Sequence, residues 1–298
     1  MERISRELVR HAQQLARDLD ARAVVVYADA MTGDDELNEI VQAVDLLSIL
    51  VTRSREEAPS PGFGSSVWVS VPDVQMTRAG QVKTALLVCL ARGVLHRGDR
   101  VICLSGVDRS RALDTLSILN LGGEPELFSL FDPTSFSGDL APEVFERVLT
   151  LATQLAVEGR EGRPVGALFV VGDSERVLGQ SRGLVLNPFQ GHPESGRNVL
   201  DPALDETLKE YSALDGAFIV RGDGVVLTAG SHLMPLAAAS PRLASGLGTR
   251  HGAAAGISAS TDAVAICISQ STGTVSVYKS GHLVTDIQRC THGAQFPV

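Results

Sequence analysis

Apolar residues recur every three or four positions in the first segment, where Ile4, Leu8, Ala12, Leu15 and Leu19 share one face and predict an amphipathic helix. The period then becomes extended in "AVVVYAD", a short β-branched run. A helix is predicted through Leu37, Ile40, Val41 and Val44, followed by buried strands in "LLSILVTRS" and "SVWVSVP". Gln81 to Arg92 reads as a helix ending near Gly93, and "GDRVICLSG" and "ELFSLF" read as further strands. Strands alternating with helices predict a parallel sheet covered on both faces, a three-layer α/β arrangement.

Proline, glycine and serine cluster in "DPTSFSGDLAPE", from Asp132 to Glu143, and predict a domain boundary, with domains over 1–136 and 140–298. Pro142 suits the first turn of a helix that runs to about Glu158 and buries Val144, Phe145, Val148, Leu149, Ala152 and Leu155. "GALFVVGD" reads as a strand, "LVLNPFQGHPESGRNV" as irregular, and Asp201 to Tyr211 as a short helix with Asp201 as N-cap and Pro202 at its first position. "GAFIV", "AVAICIS" and "TVSVYKSG" are the strands predicted to close the chain, with the helix "SPRLASGLG" and the turn "TRHG" before the second of them. This half reads as a mixed sheet with flanking helices.

Composition narrows the picture. With 298 residues and 44% hydrophobic content the chain can bury one large core or two ordinary ones, and with 4% aromatic residues those cores are mostly aliphatic. A formal charge of −9 argues against a general nucleic-acid binder but leaves room for a local positive pocket. Lysine occurs only at Lys83, Lys209 and Lys279, so arginine carries most of the positive charge. Cys89, Cys103, Cys267 and Cys290 form no CxxC pair and no zinc spacing, which predicts reduced thiols in a reducing compartment. The charged N-terminus lacks a signal-peptide core, and no stretch is long and apolar enough to span a bilayer, so the expectation is a cytoplasmic protein without a membrane partner.

Two short stretches carry candidate chemistry. In "GLGTRHGAAAGIS" Gly248 is placed at the end of the preceding helix, followed by Thr249, Arg250 and His251 and then the small-residue run Gly252 to Gly256. The guanidinium fork, a hydroxyl and an imidazole, at the start of a possible helix, describe a polyphosphate site; the competing reading is a solvated turn. In "ALDGAFIV" Asp215 opens a strand, followed by Gly216 and Ala217. An acid there can hold a divalent ion where two anions must approach, and the small residues let a ligand lie near the backbone; the competing reading is an ordinary Asp-Gly turn. Asp29, Asp34 and Asp35 form an acidic cluster that reads as a solvated loop.

Together, and in this order, these stretches make residues from about 140 to 283 resemble the diadenylate cyclase (DAC) domain, across "GALFVVGD", "LDGAFIVRGDGVVLTAGSHL", "GLGTRHGAAAGIS", "TDAVAICIS" and "STGTVSVYKSG". That family's Asp-Gly-Ala motif is Asp215-Gly216-Ala217, and its Arg-His-Arg motif survives as Arg250-His251-Gly252. The N-terminal half is similar in outline to the C-terminal domain of pyruvate kinase, as in the archaeal-type branch, with "GVLHRGDRVICLSGV" the nearest segment. The resemblance implies a DAC-type α/β domain that condenses two ATP into cyclic di-AMP and two pyrophosphates. It also implies self-association of two DAC domains about a two-fold axis. Asp215 would hold Mg²⁺ or Mn²⁺ and help activate the attacking hydroxyl; Gly216 and Ala217 would admit the nucleotide. Thr249, Arg250 and His251 would hold the triphosphate, with Asp215, Arg250 and His251 as the catalytic set. Leu233 would face the base, and Gly248, Ser269 and Gln270 complete the expected nucleotide contacts. Gly252 and Gln270 stand where many relatives carry arginine and glutamate, which leaves as an alternative a nucleotide or cyclic di-AMP sensor without turnover. The N-terminal half is expected to be an assembly or effector module.

Overall fold

The valine run at 23–27 is buried on both of its faces, as a central parallel strand must be. The computed structural model describes residues 3–31, 46–53, 66–106, 112–121, 140–235 and 248–288. Its Cα packing divides into two units, Met1–Asp73 with Gln81–Phe128 and Val74–Gly80 with Ser129–Val298. The helix expected through Leu37 to Val44, the strand "ELFSLF", the helix "SPRLASGLG", Asp34, Asp35, Cys290 and most of the proposed boundary at 132–143 lie outside the described residues.

In the first unit β1 (Ala23–Tyr27), β2 (Leu47–Thr52), β3 (Ser66–Ser70), β4 (Arg100–Ser105) and β5 (Thr115–Asn120) form one sheet in the order β3-β2-β1-β4-β5. The first four are mutually parallel and β5 runs antiparallel to β4. Helix α1 (Arg3–Asp18) lays Val9, Ala12 and Ala16 on Val24, Val26, Ile102 and Leu104. On the opposite face Tyr27 donates its hydroxyl hydrogen to the Gln81 carbonyl of α2 (Arg78–Ala91). The apolar stripe of α1 is rotated from the expected one. Ile4 is exposed and its neighbour Ser5 is buried, because the Ser5 hydroxyl accepts from the Leu113 N–H at 2.9 Å.

The second unit holds a seven-stranded sheet in the order β12-β11-β10-β6-β8-β9-β7. Its strands are β6 (Leu168–Val171), β7 (Ser181–Gly183), β8 (Ala217–Val220), β9 (Val226–Leu233), β10 (Val264–Ile268), β11 (Val275–Lys279) and β12 (His282–Ile287). β6 and β8 are parallel and the other pairs antiparallel, so the sheet is mixed, as expected. The chain closes with β9 and β12 in addition to the strands expected there. Helix α3 (Pro142–Glu158) begins at its proline, buries the six apolar residues named above and packs on β10 and β11. Two short helices, α4 (Ser174–Gly179) and α5 (Asp205–Tyr211), follow; before α5 the Asp201 carboxylate caps a 3₁₀ turn by accepting from the Ala203 N–H at 2.9 Å.

Helix α6 (Thr249–Ser260) packs its Ala254, Ala255 and Ile257 against Leu168, Val170, Ala265 and Cys267, one face of β6 and β10. Phe169 and Phe218, of the other parity, stack at 4.8 Å between ring centroids. Cys89, Cys103 and Cys267 are buried and form no disulfide, and burial pushes the Cys267 thiol up to about 12. Among the described residues no helix is long and apolar enough to cross a membrane.

Phe169 is fully buried and ties β6 to β8, so Phe169→Ala should cost about 3–5 kcal/mol. Urea unfolding followed by far-UV circular dichroism reads this as a lowered midpoint; an unchanged midpoint would refute the packing described.

Candidate functional site

Gly248 takes extended angles (φ −64°, ψ 165°) and stands as the N-cap of α6, with its carbonyl accepting from the His251 and Gly252 N–H groups at 3.1 and 3.2 Å. Thr249, Arg250 and His251 are thus the first turn of a helix and not the turn expected from the sequence. Alanine at 253–255 propagates the helix, and no proline interrupts it between Thr249 and Ser260. The N–H groups of that first turn point out of the helix start, where an anion is favoured.

Asp215 precedes β8 and is held out into solvent, its side chain 91% exposed. Gly216 follows with φ +105°, and a Cβ there would lie 2.6–2.9 Å from the backbone of Gly230 and Ser231. The glycine is therefore demanded by the close approach of β9, in addition to any room it leaves for a ligand. Gly230 has φ +68° and faces Val185, which follows the edge strand β7. These two glycines let the start of β8 and the middle of β9 pinch together and aim Asp215 at the N-terminus of α6.

The result is a cavity of about 420 Å³. Leu168, Leu184, Ala217, Leu233 and Ala253 form apolar walls, and Asp215, Ser231, His232, Thr249 and Arg250 supply the polar groups. Arg250 Nη2 stands 3.5 Å from Asp215 Oδ1, with the arginine side chain 31% exposed. Among the described residues Asp215 is the sole carboxylate lining the cavity, and no cluster of three His, Cys, Asp or Glu side chains forms a metal cage. Leu233 serves both the cavity and the hydrophobic core.

The structure thus brings together Asp215, Gly216, Ala217, Leu233, Thr249 and Arg250. Gly248, His251, Ser269 and Gln270 are not among the residues lining the cavity. The Ser269 hydroxyl lies 3.2 Å from that of Ser271 and accepts from the Thr272 N–H at 3.4 Å, within the turn that joins β10 to β11. Gln270, in the same turn, approaches the site from the side of Arg250. Leu184 and His232 went unread in the sequence. Leu184 lies in a stretch with no periodicity, and His232, between Ser231 and Leu233, is the lone exposed residue of β9. An unusual run of exposed apolar side chains, Leu184, Val185 and Leu186, marks that segment.

Residues 154–283 match the family model described as DisA bacterial checkpoint controller nucleotide-binding, and residues 5–128 match one described as probable sensor domain DacZ_P. A diadenylate cyclase of Methanocaldococcus jannaschii is 28% identical over 94% of this chain and 96% of its own length. A diadenylate cyclase of Haloferax volcanii is 31% identical over 77% of this chain and 83% of its own. A crystal structure of DacA from Staphylococcus aureus is 25% identical, covering 47% of this chain and 84% of that one, with a TM-score of 0.33.

His251 turns its ring away toward β11, edge-on to Tyr278 at 6.2 Å between centroids. Burial lowers its pKa below the ordinary 6.5 and raises that of Tyr278 to about 12. The folded chain therefore resists protonating His251, while the unfolded chain does not. The stability this contributes is complete above pH 6.5 and falls as pH drops through the lower folded value. Urea midpoints of the wild type, compared with His251→Phe between pH 8 and pH 5, should diverge from each other below about 6.5, with the wild type losing more on acidification. Parallel profiles would show that the ring is not desolvated.

Proposed function

This chain belongs to the diadenylate cyclase family, and from that membership we propose that it condenses two ATP into cyclic di-AMP, with release of two pyrophosphates, at the cavity between Asp215 and Arg250. Relatives spanning 94% and 77% of the chain are diadenylate cyclases, so the chain is an ATP-dependent nucleotidyltransferase. The observation that carries the assignment to this cavity is the 3.5 Å approach of Arg250 Nη2 to Asp215 Oδ1 at its mouth. Opposite charges so close meet the two needs of the reaction, a cation for the polyphosphate and a carboxylate beside the attacking hydroxyl.

Arg250 offers its fork to the phosphates, and the Thr249 hydroxyl with the Thr249 and Arg250 N–H groups at the start of α6 extends the same anion site. Leu184, Leu233 and Ala253 give the base apolar walls to pack on. Asp215 is the group able to accept the proton of a 3′-hydroxyl. It is also the residue that would hold Mg²⁺ or Mn²⁺. A single exposed carboxylate fits an ion that takes its remaining ligands from phosphate oxygens and water. When bound, such a cation supplies charge neutralisation at the phosphate under attack.

One cavity of this size holds one nucleotide, and closing a ring from two nucleotides needs each hydroxyl aligned on the other α-phosphate. Two copies facing each other about a two-fold axis provide that alignment. The exposure of Asp215 and of the Leu184–Leu186 segment supports a site completed by a second copy. The match of residues 5–128 to a probable sensor domain supports a regulatory role for the N-terminal unit.

With ATP and Mn²⁺ the wild type should form cyclic di-AMP detectable by mass spectrometry; a folded protein that makes none with any divalent ion overturns the proposal. Asp215→Asn should fold normally and lose roughly 10²–10³ in turnover, because an amide neither carries the charge nor takes the proton. Arg250→Ala should act chiefly on ATP affinity, measured by calorimetry; an unchanged affinity would place the phosphates elsewhere.

A further inference from the structure

Three strand ends meet beneath the Arg250 side chain. β6 lies between β10 and β8 in the sheet. β6 is antiparallel to β10 and parallel to β8, so the start of β6, the start of β8 and the end of β10 share one edge. Gly166 lies just before β6, Asp215 just before β8, and Gln270 just after β10. The guanidinium crosses the middle position to reach Asp215.

A Cβ on Gly166 would lie 2.9 Å from Arg250 Nη1, 3.0 Å from Gln270 Cβ and 3.3 Å from the Gln270 backbone nitrogen. Contacts under 3.0 Å are not sustained, so one neighbour has to move. The Gln270 side lies close to the β6–β10 ladder, where Ile268 N–H donates to the Ala167 carbonyl at 2.8 Å. The end of a flexible arginine is the part that gives. Gly166 does not have a positive φ, so its backbone tolerates alanine. What glycine provides here is a missing side chain, and the space is taken by Arg250.

The geometry points to Gly166 as a positioning residue for the cyclase reaction: its bare α-carbon is the bed on which the Arg250 guanidinium lies, and it fixes how far that cation stands from Asp215. This role rests on the function proposed above. Gly166 does not line the cavity and touches no substrate; it acts through Arg250.

The test measures ATP affinity by calorimetry and KM and kcat for cyclic di-AMP formation in the full chain, for wild type, Gly166→Ala, Arg250→Lys and the double variant. Gly166→Ala should keep the wild-type melting temperature and raise Kd and KM for ATP by about tenfold or more, since displacing a positioned group by about 1 Å can cost up to ~10²-fold. Lysine lacks the fork that collides with a new Cβ, so adding Gly166→Ala to Arg250→Lys should cost almost nothing further. Wild-type affinity and KM in Gly166→Ala, or two losses that simply add in the double variant, overturn the role of Gly166 alone. A wild type that neither binds nor turns over ATP overturns the proposed function and this role with it. If Gly166→Ala also unfolds, recovery of the fold by Arg250→Lys supports the contact, and no recovery overturns it.

Discussion

Arg250 and Asp215 are held 3.5 Å apart at the edge of a sheet, and the site depends on that juxtaposition of opposite charges. The pair contributes little to stability. An exposed ion pair is worth about 0–1 kcal/mol, and Asp215 is 91% exposed. Its value lies in placement. The arginine issues from the first turn of a helix whose alanines are locked against β6 and β10, and the aspartate from the start of a strand paired with β6. Neither group sits on a long loop, so the distance between them is set by the packing of secondary structure.

The surroundings fit the same logic. A chain with a net charge of −9 repels a polyphosphate at long range, so binding has to come from local donors. Among the described residues Arg250 is the arginine that lines the cavity. His251, one residue on, is kept neutral by burial and faces Tyr278. It supports the helix start from behind.

Much of this was legible in the amino-acid order. The apolar runs that became β1, β8 and β10 are buried along their whole length, and β4 is buried from Val101 onward; unbroken apolar strands are the easiest to read. Pro142 and Asp201 marked helix starts by the chemistry of their own backbones and side chains. Edge elements were harder. β7 is the three-residue stretch Ser181–Gly183, too short to show any period, and β5 is half-exposed, so its alternation is blurred. The start of α6 was misread because Gly248 resembles a stop signal, yet it serves here as a cap. Gly216 was read as room for a ligand, but contact with β9, invisible in sequence, already demands it. Ile4 follows the helical spacing and still faces solvent, because Ser5 is drawn inward by the Leu113 N–H.

Gly252, where the family pattern carries a second arginine, can be placed by helix geometry. Each residue advances about 100° around α6. Thr249, Arg250 and Ala253 line the cavity, which centres the cavity face roughly 45° past Thr249. His251 then falls on the far side, as its contact with Tyr278 requires. Position 252 falls about 105° from the centre, on the flank of the helix. A glycine there removes a cation from the rim and leaves the direct line between Arg250 and Asp215 untouched. Gln270 lies beside the same arginine, its Cβ and that guanidinium both close to Gly166. A neutral amide in that place leaves Arg250 without a second carboxylate to pull it from Asp215. Both departures therefore fall beside the charge pair and leave the 3.5 Å approach of Arg250 to Asp215 in place.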